Sequence, residues 1–258
     1  MRTSLLALAV LATACATSPT GTTKTPSASG LTVSPEIAAA VDAADRDQGD
    51  RDIDAGRDPK DTLAFFGVAP GMKVGDVGAG LGYTSELLAR VVGPQGQVFA
   101  ENPEKLRGFV GADWNVRLGK PIMKNVVRVD RELDDPFPAE AKDLDLVTMI
   151  LIYHDAVWMG VDRDKLNRAV FAALKSGGIF GIIDHSAKPG DGTNVVQTFH
   201  RIEESVVIDE VKRAGFVLDG QGTFLKNASD TRDWNDSPSS AGNKRGTSDR
   251  FVLRFKKP

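Results

Sequence analysis

The sequence predicts an α/β protein: a mostly parallel sheet of seven strands, an antiparallel last strand, and helices on both faces. Three observations carry this prediction. Apolar runs of strand length alternate with stretches of helical periodicity, and such alternation requires right-handed crossovers between parallel strands. The run from Leu144 to Leu151 is almost unbroken in its apolar character, as in a strand covered on both faces. The last two strand-like runs, near 215–224 and 250–256, have no helical segment between them and so must pair antiparallel.

Residues 36–44 read as a short helix, with folding starting near Pro35. Positions 45–58 are dense in aspartate and arginine and read as a solvated face whose exposed pairs contribute little. Asp58 and Pro59 read as N-cap and first residue of a helix that reaches Phe66 and stops at Gly67. Pro70-Gly71 turns the chain into a first strand, Lys73–Val77. A helix over 83–92 buries Leu87, Leu88, Val91 and Val92, and Gly93-Pro94 ends it. Strand two is Gln97–Ala100, strand three lies at 125–129, and strand four is Leu144–Leu151. Asp162 is the expected N-cap of a helix with Leu166, Ala169, Val170, Ala173 and Leu174 on one stripe. Gly177-Gly178 leads into strand five, Ile179–Asp184, and a helix follows at 203–213. The aperiodic segment 227–248 is long enough to be either functional or disordered.

The chain has 258 residues, 41% of them hydrophobic, and a net charge of -3, which suits one sizeable domain over 35–258. Acids and bases are interspersed, so no basic nucleic-acid footprint is expected. Met1-Arg2-Thr3-Ser4 is a short basic start, and Leu5 to Ala12 has the length of a signal-peptide apolar region. Ala12-Thr13-Ala14-Cys15 is similar to a bacterial lipobox, which would end the signal segment 1–15 and place a lipid on Cys15. The plainer reading is an ordinary signal peptide with an incidental cysteine. One cysteine excludes a disulfide within the chain. Residues 16–34 read as a flexible tether rich in Ser, Thr, Pro and Gly. Ala16 in place of Asp after the cysteine points, by similarity to lipoprotein sorting, to the outer membrane or periplasmic face of a Gram-negative cell. Membrane association is expected only through Cys15.

The chemistry concentrates after strand one, in Asp76-Val77-Gly78-Ala79-Gly80-Leu81-Gly82-Tyr83. A strand, a glycine loop and a helix in that order form a nucleotide-type site at the carboxyl end of a parallel sheet. The spacing is not the dinucleotide fingerprint, because Tyr83 or Ser85 stands where its third glycine belongs, which counts against a nicotinamide oxidoreductase. Glu101 ends strand two, nineteen residues after Gly82, where an acid can accept hydrogen bonds from both ribose hydroxyls. Asp130 follows strand three and is a weaker candidate for an adenine amine, with Glu132, Asp134 and Asp135 as competitors. Asp76 is expected beneath the loop, bonding its amides or a ligand ammonium.

Tyr153-His154-Asp155 follows strand four, Asp184-His185 ends strand five, and His200-Arg201 comes after a short loop; these are the three histidines of the chain. Two of them fall at the ligand-binding edge by strand order alone. Their spacing matches no compact metal motif, and no metal centre is assigned.

From about residue 36 the chain resembles a bacterial family of S-adenosylmethionine (SAM)-dependent methyltransferases, class I and Rossmann-like. The resemblance rests on the glycine run, Leu63-Ala64-Phe65-Phe66-Gly67-Val68, Tyr153-His154-Asp155, Leu174-Lys175-Ser176-Gly177-Gly178, Asp184-His185-Ser186-Ala187, His200-Arg201-Ile202 and the tail Asp249 to Pro258. It implies the seven-stranded SAM methyltransferase fold and SAM held by Asp76, Gly78, Ala79, Gly80, Gly82, Tyr83, Glu101 and Asp130. The acceptor is expected to be a small molecule. His154 is the expected general base, oriented by Tyr153 and Asp155, with His185 as second candidate. Because SAM is a cytoplasmic metabolite, an exported ligand-binding protein with this fold and no catalysis is the alternative.

Overall fold

The computed structural model describes residues 30–258. The signal segment 1–15, Cys15 and most of the tether lie outside the described residues. Helix α1 (Pro35–Asp42) is capped by the Ser34 hydroxyl, which accepts from the Ile37 amide, and is followed by α2 (Gln48–Arg57) and α3 (Pro59–Phe66). The alternating part comprises β1 (Lys73–Val77), α4 (Tyr83–Val92), β2 (Gln97–Glu101), α5 (Glu104–Leu118), β3 (Val126–Val129) and β4 (Leu144–Ile150). It continues through α6 (Tyr153–Trp158), α7 (Arg163–Ala173), β5 (Leu174–His185), α8 (Val196–Phe199), α9 (Glu204–Arg213), β6 (Val217–Gly222) and β7 (Arg250–Lys256).

The strands form one seven-stranded sheet in the order β3-β2-β1-β4-β5-β7-β6. β1 to β5 pair in parallel, and β7 runs antiparallel to both β5 and β6. One face is covered by α1, α3, α4 and α5 through Ile37, Leu63, Leu88 and Trp114; the other is covered by α6, α7 and α9 through Ala156, Leu166, Val170 and Val211. The strand order reverses between β1 and β4, so the crevice above their carboxyl ends is where an open α/β sheet binds a ligand.

Several segments differ from the expectation, among them the short helices α6 and α8, which the sequence reading does not contain. The Asp/Arg run is not a solvated face. Most of it forms α2; Arg46, in the turn before that helix, is buried and binds Asp54 through two bonds of 2.7 and 2.8 Å, while Asp50 is buried against Arg117 at 2.6 Å. Pattern reading fails there because ion pairing with a distant helix, and not apolar periodicity, buries those residues. Helix α5 has no counterpart in the predicted elements. Gly108 and Gly111 interrupt its sequence, Phe109 and Val116 are exposed, and Gly111 breaks the helix at φ 42°. Strand β5 begins five residues early, at Leu174, which pairs with Leu144 across a bulge.

Candidate functional site

The loop Gly78–Gly82 joins β1 to α4 and is held open by β2. The Gly78 amide donates to Glu101 Oε2 (3.0 Å), and the Ala79 amide to the Glu101 carbonyl (2.8 Å). The Gly80 amide donates to Asn102 Oδ1 (2.7 Å), whose Nδ2 donates back to the Gly80 carbonyl (3.0 Å). Asn102 was not among the predicted site residues, although it adjoins Glu101 directly. The glycines serve different ends. A Cβ at Gly82 would lie 2.2 Å from Trp114, so packing requires that glycine. A Cβ at Gly80 would meet nothing within 4 Å, so its open side faces free space above the sheet.

Glu101 is fully buried, and its Oε1 has no hydrogen-bond partner. Burial pushes its carboxyl well above the ordinary range, against the single Gly78 amide that favours the charge. An acceptor atom buried without a donor requires an explanation, and a ligand hydroxyl supplies one.

Asp76 departs from its expected partners. It bonds no loop amide; its oxygens accept from the Ser85 hydroxyl (2.6 Å) and the Thr148 hydroxyl (2.8 Å). Burial raises its pKa from 3.8 to about 6, the two hydroxyl bonds only partly opposing it. The folded carboxyl therefore holds its proton to about pH 6, while the unfolded one releases it near 3.8. The native state binds more protons in that window, so stability falls as pH rises through it, by about 3 kcal/mol at most. Asp76→Asn is expected to remove this slope and raise the melting temperature at pH 7. An unchanged pH profile of melting temperatures counts against the assignment.

Tyr83 donates its hydroxyl to Asp54 (2.6 Å) and lies under the Arg57 guanidinium, 5.1 Å from the ring centre. This ties α2 to the start of α4 as one wall of the crevice. Asp130 is exposed at the end of β3, where Arg128 binds both its oxygens at 2.9 Å. A narrow cleft of about 20 Å³ lies beside the loop, with Leu63, Leu87, Ile150, Leu151 and Ile183 in its walls and Arg57 and Arg250 at its polar side. The sequence reading missed both arginines. Only the fold brings α2 and β7 to one cleft.

The histidines converge at the carboxyl ends of β4 and β5. His154 opens α6, where its amide donates to Asp184 Oδ2 (2.8 Å) and its Nδ1 lies 2.6 Å from Asp184 Oδ1. Its Nε2 is 3.2 Å from Asp155 Oδ1, and His200 Nε2 is 3.4 Å from the same oxygen. The charge setting of His154 weighs against the expected role as base. Burial alone would lower its pKa, but Asp184 and Asp155 overcome that and push it up to about 10. At neutral pH it holds a proton and cannot accept another. Tyr153 does not orient it either. Its hydroxyl donates to Glu210 (2.8 Å) and accepts from Asn167 (2.9 Å) in the core under α7 and α9.

His185 has the opposite character. Burial and the nearby Arg250 outweigh Asp236 and push its pKa down to about 4, so it is neutral at pH 7. Its Nδ1 is 2.5 Å from Asp236 Oδ2 and 2.8 Å from the Ser248 hydroxyl. With Nδ1 donating, the lone pair would lie on Nε2. Asp236 comes from the 227–248 segment, which packs over the sheet edge: Asp230 binds Arg201 at 2.8 Å, and the Arg201 guanidinium lies 4.6 Å from the Trp234 ring centre.

No family model matches the chain. The ubiquinone/menaquinone biosynthesis C-methyltransferase UbiE of Vibrio campbellii is 30% identical over 126 residues, covering 48% of this chain and 46% of that enzyme. The chain thus spans about half the length of the curated relatives it matches. Among solved structures, a SAM-dependent methyltransferase of Aquifex aeolicus superposes with a TM-score of 0.56 at 20% identity, covering 77% of this chain and 88% of that one. A SAM-dependent O-methyltransferase of Thermotoga maritima superposes at 0.50 with 22% identity, covering 77% of this chain and 65% of that one.

Proposed function

We propose that this chain, whose fold is that of the class I SAM-dependent methyltransferases, binds SAM in the β1/β4 crevice and transfers its methyl group to a small-molecule acceptor. The buried, unpartnered Oε1 of Glu101 beside the loop carries this reading. The free Oε1 of Glu101 would accept from a ligand hydroxyl, and the open side of Gly80 would leave room for the amino-acid part of the cofactor. Bound SAM supplies an electrophilic methyl on a sulfonium. The protein's part is to hold the acceptor in line with that methyl. The apolar cleft suits an acceptor with a hydrophobic body, with Arg57 and Arg250 facing any anionic group it carries. His185, neutral and a weak base, is the side chain that would take the acceptor's proton where it has one; its strand neighbour Arg250 lines the cleft.

Titration calorimetry with SAM tests the site. Glu101→Gln is expected to weaken binding by about 10–100-fold, the loss of charge-assisted hydrogen bonds, with the melting temperature maintained. Ribose hydroxyls donating to Glu101 favour its ionised form, so binding to the wild type should release a proton and tighten as pH rises above the ordinary carboxylate range. Heats measured in buffers of different ionisation enthalpy report that proton. Equal affinity of wild type and variant rules the site out.

A ligand-binding protein without catalysis is the second reading, favoured by the protonated state of His154 and the low basicity of His185. Bound SAM with no S-adenosylhomocysteine formed across an acceptor screen supports it. The antiparallel β7 and the loop spacing separate the chain from the all-parallel dinucleotide sheet of an oxidoreductase. Export and lipid attachment at Cys15 are proposed on the sequence alone. Among the described residues no helix is long and apolar enough to cross a membrane.

A further inference from the structure

We propose that His154, Asp155 and His200 form a binding site for a divalent transition-metal ion of the zinc type. Their three ligand atoms lie within 4.8 Å of one another. Asp155 Oδ1 is 3.2 Å from His154 Nε2 and 3.4 Å from His200 Nε2. Ligands at about 2.1 Å around a tetrahedral ion stand about 3.4 Å apart, so both separations already have the length of a coordination edge. The third edge, between the two histidines, is within 4.8 Å, a distance that side-chain rotation can shorten.

The buried chemistry points the same way. His154 is 1% exposed, and its Nε2 has no hydrogen-bond partner; the contact with Asp155 is close enough for an ion pair but misaligned for a hydrogen bond. Its other nitrogen is fixed by Asp184, the carboxylate–histidine arrangement that orients a ligand's lone pair toward a metal, and an incoming cation would free that lone pair by displacing to solvent the proton that Asp184 and Asp155 otherwise hold on the ring. The Trp158 indole donates to Asp155 Oδ1 (2.6 Å) and steadies the carboxylate. His200 has φ 60°, a left-handed conformation uncommon for a residue other than glycine, and its ring stands edge-on to His154 with centres 4.2 Å apart. Two imidazoles and one carboxylate select zinc, iron, cobalt or nickel over calcium and magnesium. Three protein ligands leave a position for water or an acceptor oxygen, and the partly exposed His200 side chain gives solvent a route to it. The sequence shows no compact motif because the ligands come from α6 and from the residue after α8.

The proposal stands independently of SAM binding, and its test uses no SAM. The full protein is stripped with a chelator and titrated with Zn²⁺ by calorimetry and with Co²⁺ by visible absorption. The expected result is one equivalent per chain, with cobalt bands of a four- or five-coordinate site. His200→Asn, which tolerates the left-handed backbone, and Asp184→Asn should each weaken binding by about 10–100-fold. Asp47→Asn, at the exposed member of the separate acidic group formed with the buried Asp50 and Glu86, should leave it unchanged. Absence of stoichiometric binding by folded wild type overturns the proposal. So does undiminished binding by folded His200→Asn, or loss of the signal in Asp47→Asn.

Discussion

Arg117→Ala is expected to lower the unfolding free energy by about 3–5 kcal/mol, because it removes one member of a buried ion-pair network. The Arg117 guanidinium binds Asp50 at 2.6 and 2.9 Å and Glu86 at 2.7 Å, joining α2, α4 and α5. Glu86 keeps Arg90 (2.8 Å) and Lys120 (2.9 Å) when Arg117 is lost, so Asp50 is the carboxylate left stranded. Removing that carboxylate as well, in Arg117→Ala/Asp50→Ala, should restore about 1–3 kcal/mol, as groups sharing one network are not additive. Urea denaturation of the two singles and the double gives the coupling. A cost under about 1 kcal/mol for Arg117→Ala would place the network among exposed pairs of little worth. Since α2 also carries Arg57 and the Asp54 partner of Tyr83, the same variant should loosen the wall of the cleft.

Gly80→Asp is expected to abolish SAM binding while the fold survives. A Cβ at Gly80 meets no atom within 4 Å, and aspartate is among the few residues that adopt φ +57° at modest cost. The new carboxylate would occupy the space assigned to the cofactor, close to Asn102 and Glu101. The loss should be on the order of a hundredfold or more, about 3 kcal/mol for an unpaired charge set against a polar ligand. Gly82→Ala is the contrasting control. Its methyl would overlap Trp114 at 2.2 Å, so it should lose stability before it loses affinity. Calorimetry beside thermal melting separates the two. Full SAM affinity in Gly80→Asp would move the cofactor away from this loop.

The strand–loop–helix unit was legible because each part is local. Lys73–Val77 and Tyr83–Val92 occur in the structure with the bounds read from the sequence, as does the antiparallel tail. Periodicity and glycine placement act over a few residues, and those signals survive without knowledge of the partner segments. Helix α5 was not legible, because its glycines contradict helical propensity and Trp114 becomes a core residue only once it packs against Gly82.

The sequence by itself determined the α/β class, the succession of its seven strands along the chain, the glycine loop, and the placing of His154 and His185 at strand ends. Each strand is a local apolar run, and intervening helical segments imply right-handed parallel crossovers. Tertiary structure decided what those side chains do. His154 and His185 are the same residue type at neighbouring strand ends, yet one is held protonated by Asp184 and Asp155 while the other is kept neutral by burial and Arg250. The buried arginine pairs of α2, the stranded oxygen of Glu101 and the meeting of His154 with His200 likewise arise between residues far apart in the chain. Charge interactions depend on distance and burial, and a sequence specifies neither until the chain has folded.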